Sequence, residues 1–252
     1  MNRHLLAVAV LATLLVSVMS EFDFYKLSLQ WPPSVCNTGK RCIPDIPNKF
    51  TIHGLWPQYD IDTPVPPYNE DPSCISITPK SSEEAMEQLR FIQGELTEYW
   101  PNLLTKNDER NDQDFWRREW EKHGMCSNYP HDPFGYFHGT VSLTAEYNPL
   151  KAILIISFAS LLQPVIGIQP GDERHKVGTI LEAVKQNLGA YPQIACNTRP
   201  RNRDPRQIPQ LWEIRFCFNR ADPPSVLRDC PNKLAGACST ETDLISFPPK
   251  PS

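Results

Sequence analysis

The sequence has no excess of positive charge, since 25 Lys and Arg residues stand against 29 Asp and Glu residues and give a formal net charge of −4. Proteins that bind nucleic acid phosphates tightly and without regard to sequence are usually strongly basic. This chain is therefore not a polycation of that kind. Any nucleic acid that it binds must be held at a local site.

Glycine and long apolar runs are also scarce. The 11 Gly and 26 Pro residues make about 15% of the 252 residues, well below the roughly 25–30% of low-complexity sequences. With 40% hydrophobic residues the chain can bury a full core, and a single domain over residues 21–252 is the simplest arrangement. The apolar stretch at residues 152–162 is shorter than the ~20 residues of a membrane span, so it predicts a buried element.

The first 20 residues have the pattern of a secretory signal peptide. Arg3 and His4 precede an apolar run at residues 5–19, and the small Ser20 suits signal peptidase, which predicts cleavage before Glu21. A membrane anchor is the alternative, but the run is shorter than the ~20 residues that a span needs. We expect a mature protein without a membrane segment, either extracellular or vacuolar.

No Cys-x-x-Cys pair occurs among the eight cysteines, which argues against a structural zinc site. An even number of cysteines on a secretory route predicts four disulfides. Spacing suggests one pair only, Cys36 with Cys42, because a short loop closes easily. The other cysteines, whose pairing the spacing leaves open, are Cys74, Cys126, Cys196, Cys217, Cys230 and Cys238.

Strands and helices are both predicted. Residues 25–31 and 211–219 alternate between apolar and polar side chains, as half-buried strands do. The alternating apolar residues are Tyr25, Leu27, Leu29 and Trp31 in the first segment, and Trp212, Ile214, Phe216 and Phe218 in the second.

Two amphipathic segments predict helices. One begins with a capping box of Ser81 and Glu84 and ends at Trp100, which precedes a proline. The other covers residues 177–188 and ends at Gly189. Because strands and helices do not alternate regularly, the pattern favours an α+β fold over a doubly wound sheet.

Residues 50–57, Phe-Thr-Ile-His-Gly-Leu-Trp-Pro, begin like a strand and present His53. We expect the strand to break at Gly54, since glycine permits a sharp turn. A lone histidine in such a segment is most often structural.

A second segment predicts a short helix, with Asp112 or Asp114 as its N-cap. Residues four apart share a helical face, so Glu119 lies beside His123, and Lys122 borders the same face.

These groups have a structural and a catalytic interpretation. In the first, Glu119 and Lys122 form a solvated salt bridge worth at most ~0.5 kcal/mol, and His123 is a cation at a helix C-terminus. In the second, they face His53 and cleave a phosphodiester without a metal. One histidine removes a proton from an attacking hydroxyl, the other protonates the leaving oxygen, and Lys and Glu stabilise the transition state.

The motifs His-Gly-Leu-Trp-Pro at 53–57 and Glu-Trp-Glu-Lys-His-Gly at 119–124 resemble, in the same order, the active-site motifs of the ribonuclease T2 family. The resemblance extends from Phe22 through the last cysteine. It implies an α+β fold with a central antiparallel sheet and several packed helices. It also implies that a monomer, without metal or cofactor, cleaves single-stranded RNA through a 2′,3′-cyclic phosphate. The 2′-hydroxyl is the nucleophile, so DNA lacks the reacting atom.

The same resemblance implies residue roles. His53 is the general acid, His123 the general base, and Glu119 and Lys122 stabilise the transition state. For Phe115 and Leu104, two of the predicted substrate-binding residues, the alternative is a place in the core, because sequence does not separate base stacking from packing. The whole substrate-binding set is Gln30, Trp56, Asn102, Leu104, Phe115, Trp116 and Arg118. The implied disulfides are Cys74–Cys126, Cys196–Cys238 and Cys217–Cys230, besides Cys36–Cys42.

Some features depart from the family pattern. Arg118 stands where many members have histidine, and it can still bind phosphate as a fixed cation. The apolar region at 150–168 looks longer than its family counterpart. Self-incompatibility members are usually basic and glycosylated, whereas this chain is acidic and has no Asn-x-Ser/Thr sequon. An S-like role is therefore favoured.

Two other functional classes remain open. A zinc hydrolase would use His53, Glu119 and His123 as ligands, although the chain has no His-Glu-x-x-His motif. A non-catalytic storage or defence protein on the same scaffold would be marked by loss of a motif histidine, and both histidines are present.

Overall fold

The structure is a computed structural model that describes residues 22–106, 109–153, 167–198 and 208–251. The signal peptide predicted at residues 1–20 lies outside the described residues. So does most of the apolar stretch predicted to be buried at 152–162. Its first two residues, Ala152 and Ile153, are buried at the end of a helix.

The strands of the described residues range from two to ten residues in length. They are β1 (Phe24–Gln30), β2 (Thr51–Tyr59), β3 (Thr63–Pro64), β4 (Thr105–Lys106), β5 (Glu109–Arg110), β6 (Arg174–Lys176), β7 (Gln193–Asn197), β8 (Gln210–Asn219), β9 (Leu227–Arg228), β10 (Leu234–Gly236) and β11 (Leu244–Ser246).

The helices include α-helical, 3₁₀ and π segments. The α-helices are α1 (Pro32–Cys36), α2 (Ser82–Gln88), α3 (Gln93–Tyr99), α4 (Asp112–Glu119), α5 (Pro133–Glu146), α6 (Pro149–Ile153) and α7 (Val177–Leu188). Two 3₁₀ turns cover Pro72–Cys74 and Leu89–Ile92, and a π-helix at Trp120–Gly124 continues α4. Within the described residues no helix has the length and apolar character needed to cross a bilayer.

The main sheet, nine-stranded in the described residues, has a central order β10-β7-β8-β1-β2-β3. Strands β7, β8, β1 and β2 pair antiparallel, whereas β10 pairs parallel to β7 and β11 meets β8 in parallel. The predicted α+β class with a central antiparallel sheet is confirmed, with parallel pairings added at its edges.

One face of the sheet packs against the helices and forms the main core. Strand β1 contributes Tyr25, Leu27 and Leu29, each fully buried. The prediction that this strand is half-buried is wrong, because Lys26 on the opposite face is only 3% exposed. That second face is polar and buried, and it forms the floor of the site described below.

The predicted helix signals are largely confirmed. Ser81 and Glu84 form the capping box of α2, and Gly189 ends α7 with a left-handed φ of 84°. The helix predicted from this box to Trp100 is interrupted by a 3₁₀ turn at Leu89–Ile92. Four disulfides join the same cysteines that the family resemblance pairs, namely Cys36–Cys42, Cys74–Cys126, Cys196–Cys238 and Cys217–Cys230.

Candidate active site

A cavity of about 500 Å³ lies where strand β2 meets the end of α4 and the π-helix. It brings together the four residues predicted to be catalytic and one predicted to bind substrate. These lining residues are His53, Trp56, Glu119, Lys122 and His123.

A β-bulge directs His53 into this cavity. Ser28 of β1 pairs with Gly54, and Leu29 pairs with Ile52, so His53 is an extra residue in β2. Ile52 is fully buried in the core, while the side chain of His53 is 31% exposed. Bulges occur next to active sites because they reorient a side chain without ending the sheet. Strand β2 continues beyond Gly54, so the predicted break there is wrong.

Gly54 is needed for a different reason, which is its lack of a side chain. A Cβ atom at this position would lie 2.1 Å from Trp56 Nε1 and 2.3 Å from Glu119 Oε2. Those two atoms are themselves hydrogen-bonded, with Trp56 Nε1 donating to Glu119 Oε2 at 3.2 Å. The glycine thus leaves room for the hydrogen bond between Trp56 and Glu119.

Helix α4 begins one residue earlier than the sequence predicts. Asn111 is the N-cap, and its side chain accepts from the backbone N–H of Asp114 at 2.9 Å. The predicted cap at Asp112 or Asp114 is wrong, because the Asp112 carboxylate accepts from the backbone N–H of Asn102 at 2.8 Å. This contact ties the start of the helix to the loop after Trp100.

Glu119 is the last residue of α4 and is only 6% exposed. Burial raises the pKa of its carboxyl above the ordinary value, although His53, Trp56 and Lys122 stabilise the charged form. The π-helix that follows presents Lys122 and His123 to the same cavity.

His53 has a partner that the motifs do not contain. Its Nδ1 lies 2.6 Å from Oε1 of Glu213, whose side chain is fully buried. Burial disfavours the charged imidazole, but the Glu213 carboxylate outweighs burial and raises the pKa of His53 above its usual range. Burial also opposes the charge of Glu213, but His53 and Arg215 lower the pKa of that carboxyl to about 2. The sequence signal that could have singled out Glu213 is that it and Arg215 are the two charged residues alternating with apolar ones in the predicted strand at 211–219.

His123 has the opposite environment. Its Nδ1 is buried without a hydrogen-bond partner among the described residues. Burial lowers the pKa of this imidazole to about 3, with the nearby charges of His53 and Lys122 acting in the same direction. The ring of Trp56 lies between the two histidines, 5.2 Å from His53 and 5.5 Å from His123 by ring centroids. One cavity is therefore lined by an imidazole that favours its proton and another that favours the neutral form.

A smaller cavity of about 110 Å³ adjoins His53 on its other side. Its lining includes four of the predicted substrate-binding residues, Gln30, Asn102, Leu104 and Phe115. The Phe115 ring is half-buried and lies 6.3 Å from the His53 ring. The structure thus brings these residues together beside His53.

Trp116, which is also predicted to bind substrate, lines neither of these two cavities. Its side chain is 1% exposed in the core, where Nε1 donates to the backbone oxygen of Trp100 at 2.8 Å. Its burial does not support the predicted role in binding substrate, since its neighbour Phe115 occupies the helix face that meets the cavity. Arg118 is exposed, and Asp114 pairs with Arg117 at 3.4 Å rather than with Arg118.

A second bulge brings Trp212 to the site. Cys196 pairs with Leu211 and Ala195 with Glu213, so Trp212 is an extra residue in β8. Leu211 takes the buried position, and Trp212 lines the smaller cavity instead. The sequence alternation that places Trp212 on the core face is therefore wrong at this residue.

The donor set does not support the zinc alternative. Within the described ranges, no three His, Cys, Asp or Glu side chains come together in an arrangement that could hold a metal ion. His53 Nδ1 is engaged by Glu213, and Glu119 accepts from Trp56. These contacts suit proton transfer and charge stabilisation by the side chains themselves.

Comparison with known proteins gives consistent matches. The model of the ribonuclease T2 family matches residues 22–230. Ribonuclease 1 of Arabidopsis thaliana is 32% identical over 237 residues, 92% of this chain and 90% of that protein, and ribonuclease 3 of the same plant is 29% identical, with 92% and 93% covered. Ribonuclease MC1 from bitter gourd seeds has a similar structure, with a TM-score of 0.68 at 27% identity over 90% of this chain and 100% of that one.

Proposed function

The chain belongs to the ribonuclease T2 family as an endoribonuclease of plant type, and we propose that it cleaves single-stranded RNA by two-histidine acid–base catalysis. The observation that supports this mechanism most directly is the contrast between the two imidazoles of one cavity. Groups whose environments push their pKa values apart are suited to opposite roles. His123, neutral, is the base, and His53, protonated, is the acid.

In the first step, His123 accepts the proton of the 2′-hydroxyl through Nε2, because its Nδ1 is buried. The 2′-oxygen bonds to phosphorus, and the bond from phosphorus to the 5′-oxygen breaks. His53 gives its proton to that leaving oxygen, which yields a 2′,3′-cyclic phosphate and a free 5′-hydroxyl. In the second step, water opens the cyclic phosphate with the two roles exchanged.

Lys122 and Glu119 stabilise the charge that develops on phosphorus. The Lys122 ammonium lies at the cavity wall and is exposed, so it can meet phosphate oxygens there. Glu119 is fixed by Trp56 at the junction of strand and helix. A fixed group can act on the transition state without reorganising.

The smaller cavity beside His53 receives a base. Phe115 offers a ring face for stacking, and Gln30 and Asn102 offer polar atoms to a base edge. Leu104 closes the apolar side. Trp56 faces the nucleotide within the larger cavity.

We also propose an S-like, secretory role for this enzyme. The proposal rests on the signal-like residues 1–20, the eight cysteines, the acidic net charge of −4 and the absence of a glycosylation sequon in the sequence. The mature enzyme would be a single-domain monomer over residues 21–252, either extracellular or vacuolar.

One assay separates the alternatives. The mature protein is incubated with RNA and with each dinucleoside phosphate, with and without a chelator, and products are separated by chromatography. We expect a 2′,3′-cyclic phosphate to accumulate before the 3′-phosphate, at the same rate with chelator present. Rates that collapse on chelation would indicate a metalloenzyme, and a folded protein without turnover would indicate a non-catalytic role.

A further inference from the structure

Strand β8 contributes two charged residues, Glu213 and Arg215, that no catalytic motif of the sequence contains. We propose that Glu213 is a positioning residue for His53: its carboxylate holds the imidazole through Nδ1 and leaves the Nε2 proton directed at the leaving oxygen. Arg215 in turn fixes the carboxylate. The proposal deepens, and rests on, the role of His53 as general acid.

The two oxygens of Glu213 have separate partners. Oε1 lies 2.6 Å from His53 Nδ1. Oε2 accepts from Nε of Arg215 at 2.7 Å and lies 2.6 Å from its Nη2. The carboxylate is fully buried, and a buried charge is stable only when it is paired and hydrogen-bonded. Glu213 therefore has one fixed orientation toward the histidine.

Arg215 is held on several sides. Its Nη1 donates to Oε1 of Gln193 at 2.8 Å, and its guanidinium lies 5.5 Å from the ring centroid of Trp56 and 6.0 Å from that of Trp212. Planar guanidinium groups stack on aromatic rings as well as pairing with carboxylates. The same two tryptophan rings also lie next to His53, so His53 and Arg215 pack against the same aromatic side chains.

A polar network extends the support into the protein. Lys26 donates to Gln193 Oε1 at 3.1 Å and forms an ion pair with Asp62. Gln193 Nε2 donates to Asp62 Oδ2 at 3.0 Å, and Asn232 Nδ2 donates to the same oxygen at 2.9 Å. Fully satisfied networks of this kind restrict the side chains that they contain.

The charges around His53 come from β1, β8, α4, the π-helix and the turn between β2 and β3. Lys26 of β1 and Asp62 of that turn line the same cavity and form an ion pair. Strand β8 supplies Glu213 and Arg215, helix α4 supplies Glu119, and the π-helix supplies Lys122 and His123 at the same cavity. Burial and Arg215 both favour the neutral imidazole. Without Glu213, only the more distant carboxylate would favour the proton that the acid must donate.

The proton balance is simple. Below its pKa, His53 carries protons on both nitrogens, and Nδ1–H donates to the Glu213 carboxylate. As the bond from phosphorus to the 5′-oxygen breaks, the Nε2 proton moves to that oxygen, and the neutral ring keeps its Nδ1–H bond. Glu213 stays ionised throughout, as a buried carboxylate beside a catalytic imidazole does in hydrolytic triads.

The test is Glu213→Gln, which keeps the shape of the side chain and removes its charge. We expect kcat on a dinucleoside phosphate to fall by ~10–10²-fold, the scale of impaired acid catalysis. The alkaline limb of the pH profile should move down by about 1–3 units, as expected when an adjacent opposite charge is lost. A uridine 3′-aryl phosphate, whose phenolate leaves without a proton, should be cleaved at nearly the wild-type rate.

A matched control is Glu98→Gln, which removes a carboxylate from an exposed ion pair with Lys49. It should leave the kinetics and pH profile of both substrates unchanged. Near-ultraviolet circular dichroism and thermal unfolding establish that each variant is folded. A purely structural role of Glu213 would lower the rates on both substrates together, and that result would overturn the proposal.

A direct measurement keeps the proposal falsifiable if Glu213→Gln does not fold. Nitrogen-15 NMR of the wild-type imidazoles should show His53 titrating above the ordinary value of 6.5 with Nδ1 protonated. A His53 pKa at or below that value, or an unprotonated Nδ1, would overturn it. If wild type shows this titration but cleaves no RNA, the proposed function fails while the pairing with Glu213 stands.

Discussion

The two sides of the cavity hold their histidines in opposite ways. On the strand side, formed by β2 and β8, His53 is paired with the buried carboxylate of Glu213. On the helix side, formed by α4 and the π-helix, His123 is half-buried, and its Nδ1 is buried with no hydrogen-bond partner among the described residues. The difference teaches that the surroundings of two identical side chains shift their pKa values in opposite directions, which suits them to the opposite acid and base roles that we propose.

The largest expected effect comes from removing either histidine. His53→Ala or His123→Ala should lower RNA cleavage by at least ~10²-fold, since each loses one proton transfer. The two variants should differ in their cleavage rates on the uridine 3′-aryl phosphate, because a phenolate leaves without a proton from an acid. On this substrate His123→Ala should remain slow, whereas His53→Ala should approach the wild-type rate. Steady-state kinetics of folded variants check this, and equal losses on both substrates would contradict the division of roles.

Gly54→Ala is expected to disrupt the contact between the two sides. A methyl group there would lie 2.1 Å from Trp56 Nε1 and 2.3 Å from Glu119 Oε2, so the indole and the carboxylate must move from their positions in the cavity. Displacement of catalytic groups by about 1 Å can cost ~10²-fold in rate. We expect a large fall in kcat, measured with dinucleoside phosphates. Gly94→Ala is the control, since nothing lies within 4 Å of a Cβ atom there; equal kinetics for both variants would show that the close approach has no catalytic role.

The pH profile reports both sides at once. Burial lowers the pKa of His123 to about 3, so the base is neutral above that value. Burial opposes the charge of His53, but Glu213 raises its pKa above 6.5, so activity should fall as pH rises through that raised value. On the acid side, Glu119 loses its charge first, because burial raises its pKa. A flat profile of kcat/KM, or an alkaline limb below pH 6.5, would contradict these assignments.

The helix side was easier to predict from sequence than the strand side. Glu119, Lys122 and His123 lie within five residues, so helical spacing alone places them together. The pairing of His53 with Glu213 joins residues 160 apart in sequence and depends on how β1 aligns β2 with β8. No local pattern contains that information.

The strand elements show the same limit. Alternation predicts β1 and β8, but neither bulge can be read from it, and each bulge shifts side chains to the other face. At His53 the shift creates the site, and at Trp212 it overturns the predicted face. The burial of the polar face of β1 is also missed by alternation: Lys26 lines the larger cavity and Gln30 the smaller one, instead of facing solvent.

Substitutions of two neighbouring residues of α4, Phe115 and Trp116, are expected to have smaller and different effects. Phe115→Ala should raise KM for dinucleoside phosphates by about tenfold, since base stacking is worth about 1–3 kcal/mol. Trp116→Ala should leave KM nearly unchanged but lower the free energy of unfolding by about 3–5 kcal/mol, as expected for a large core aromatic. Denaturant unfolding and kinetics on both variants check this. A KM effect of Trp116→Ala without loss of stability would restore its predicted role in binding.

The smallest effect is expected at Arg118, on the exposed surface of the helix side next to Glu119. If this cation helps to hold substrate phosphate, Arg118→Ala should raise KM by about three- to fivefold, because an exposed charge pair is worth at most ~1 kcal/mol. Arg118→His should match wild type at low pH and lose affinity as the imidazole discharges above its reference pKa of ~6.5. Arg117→Ala is the matched control, because that residue pairs with Asp114. Equal KM values for wild type and all three variants at every pH would show that Arg118 is merely solvated. Because Asp114 pairs with Arg117 and not with Arg118, the charge of Arg118 is not used in that ion pair and can meet a ligand at the helix surface.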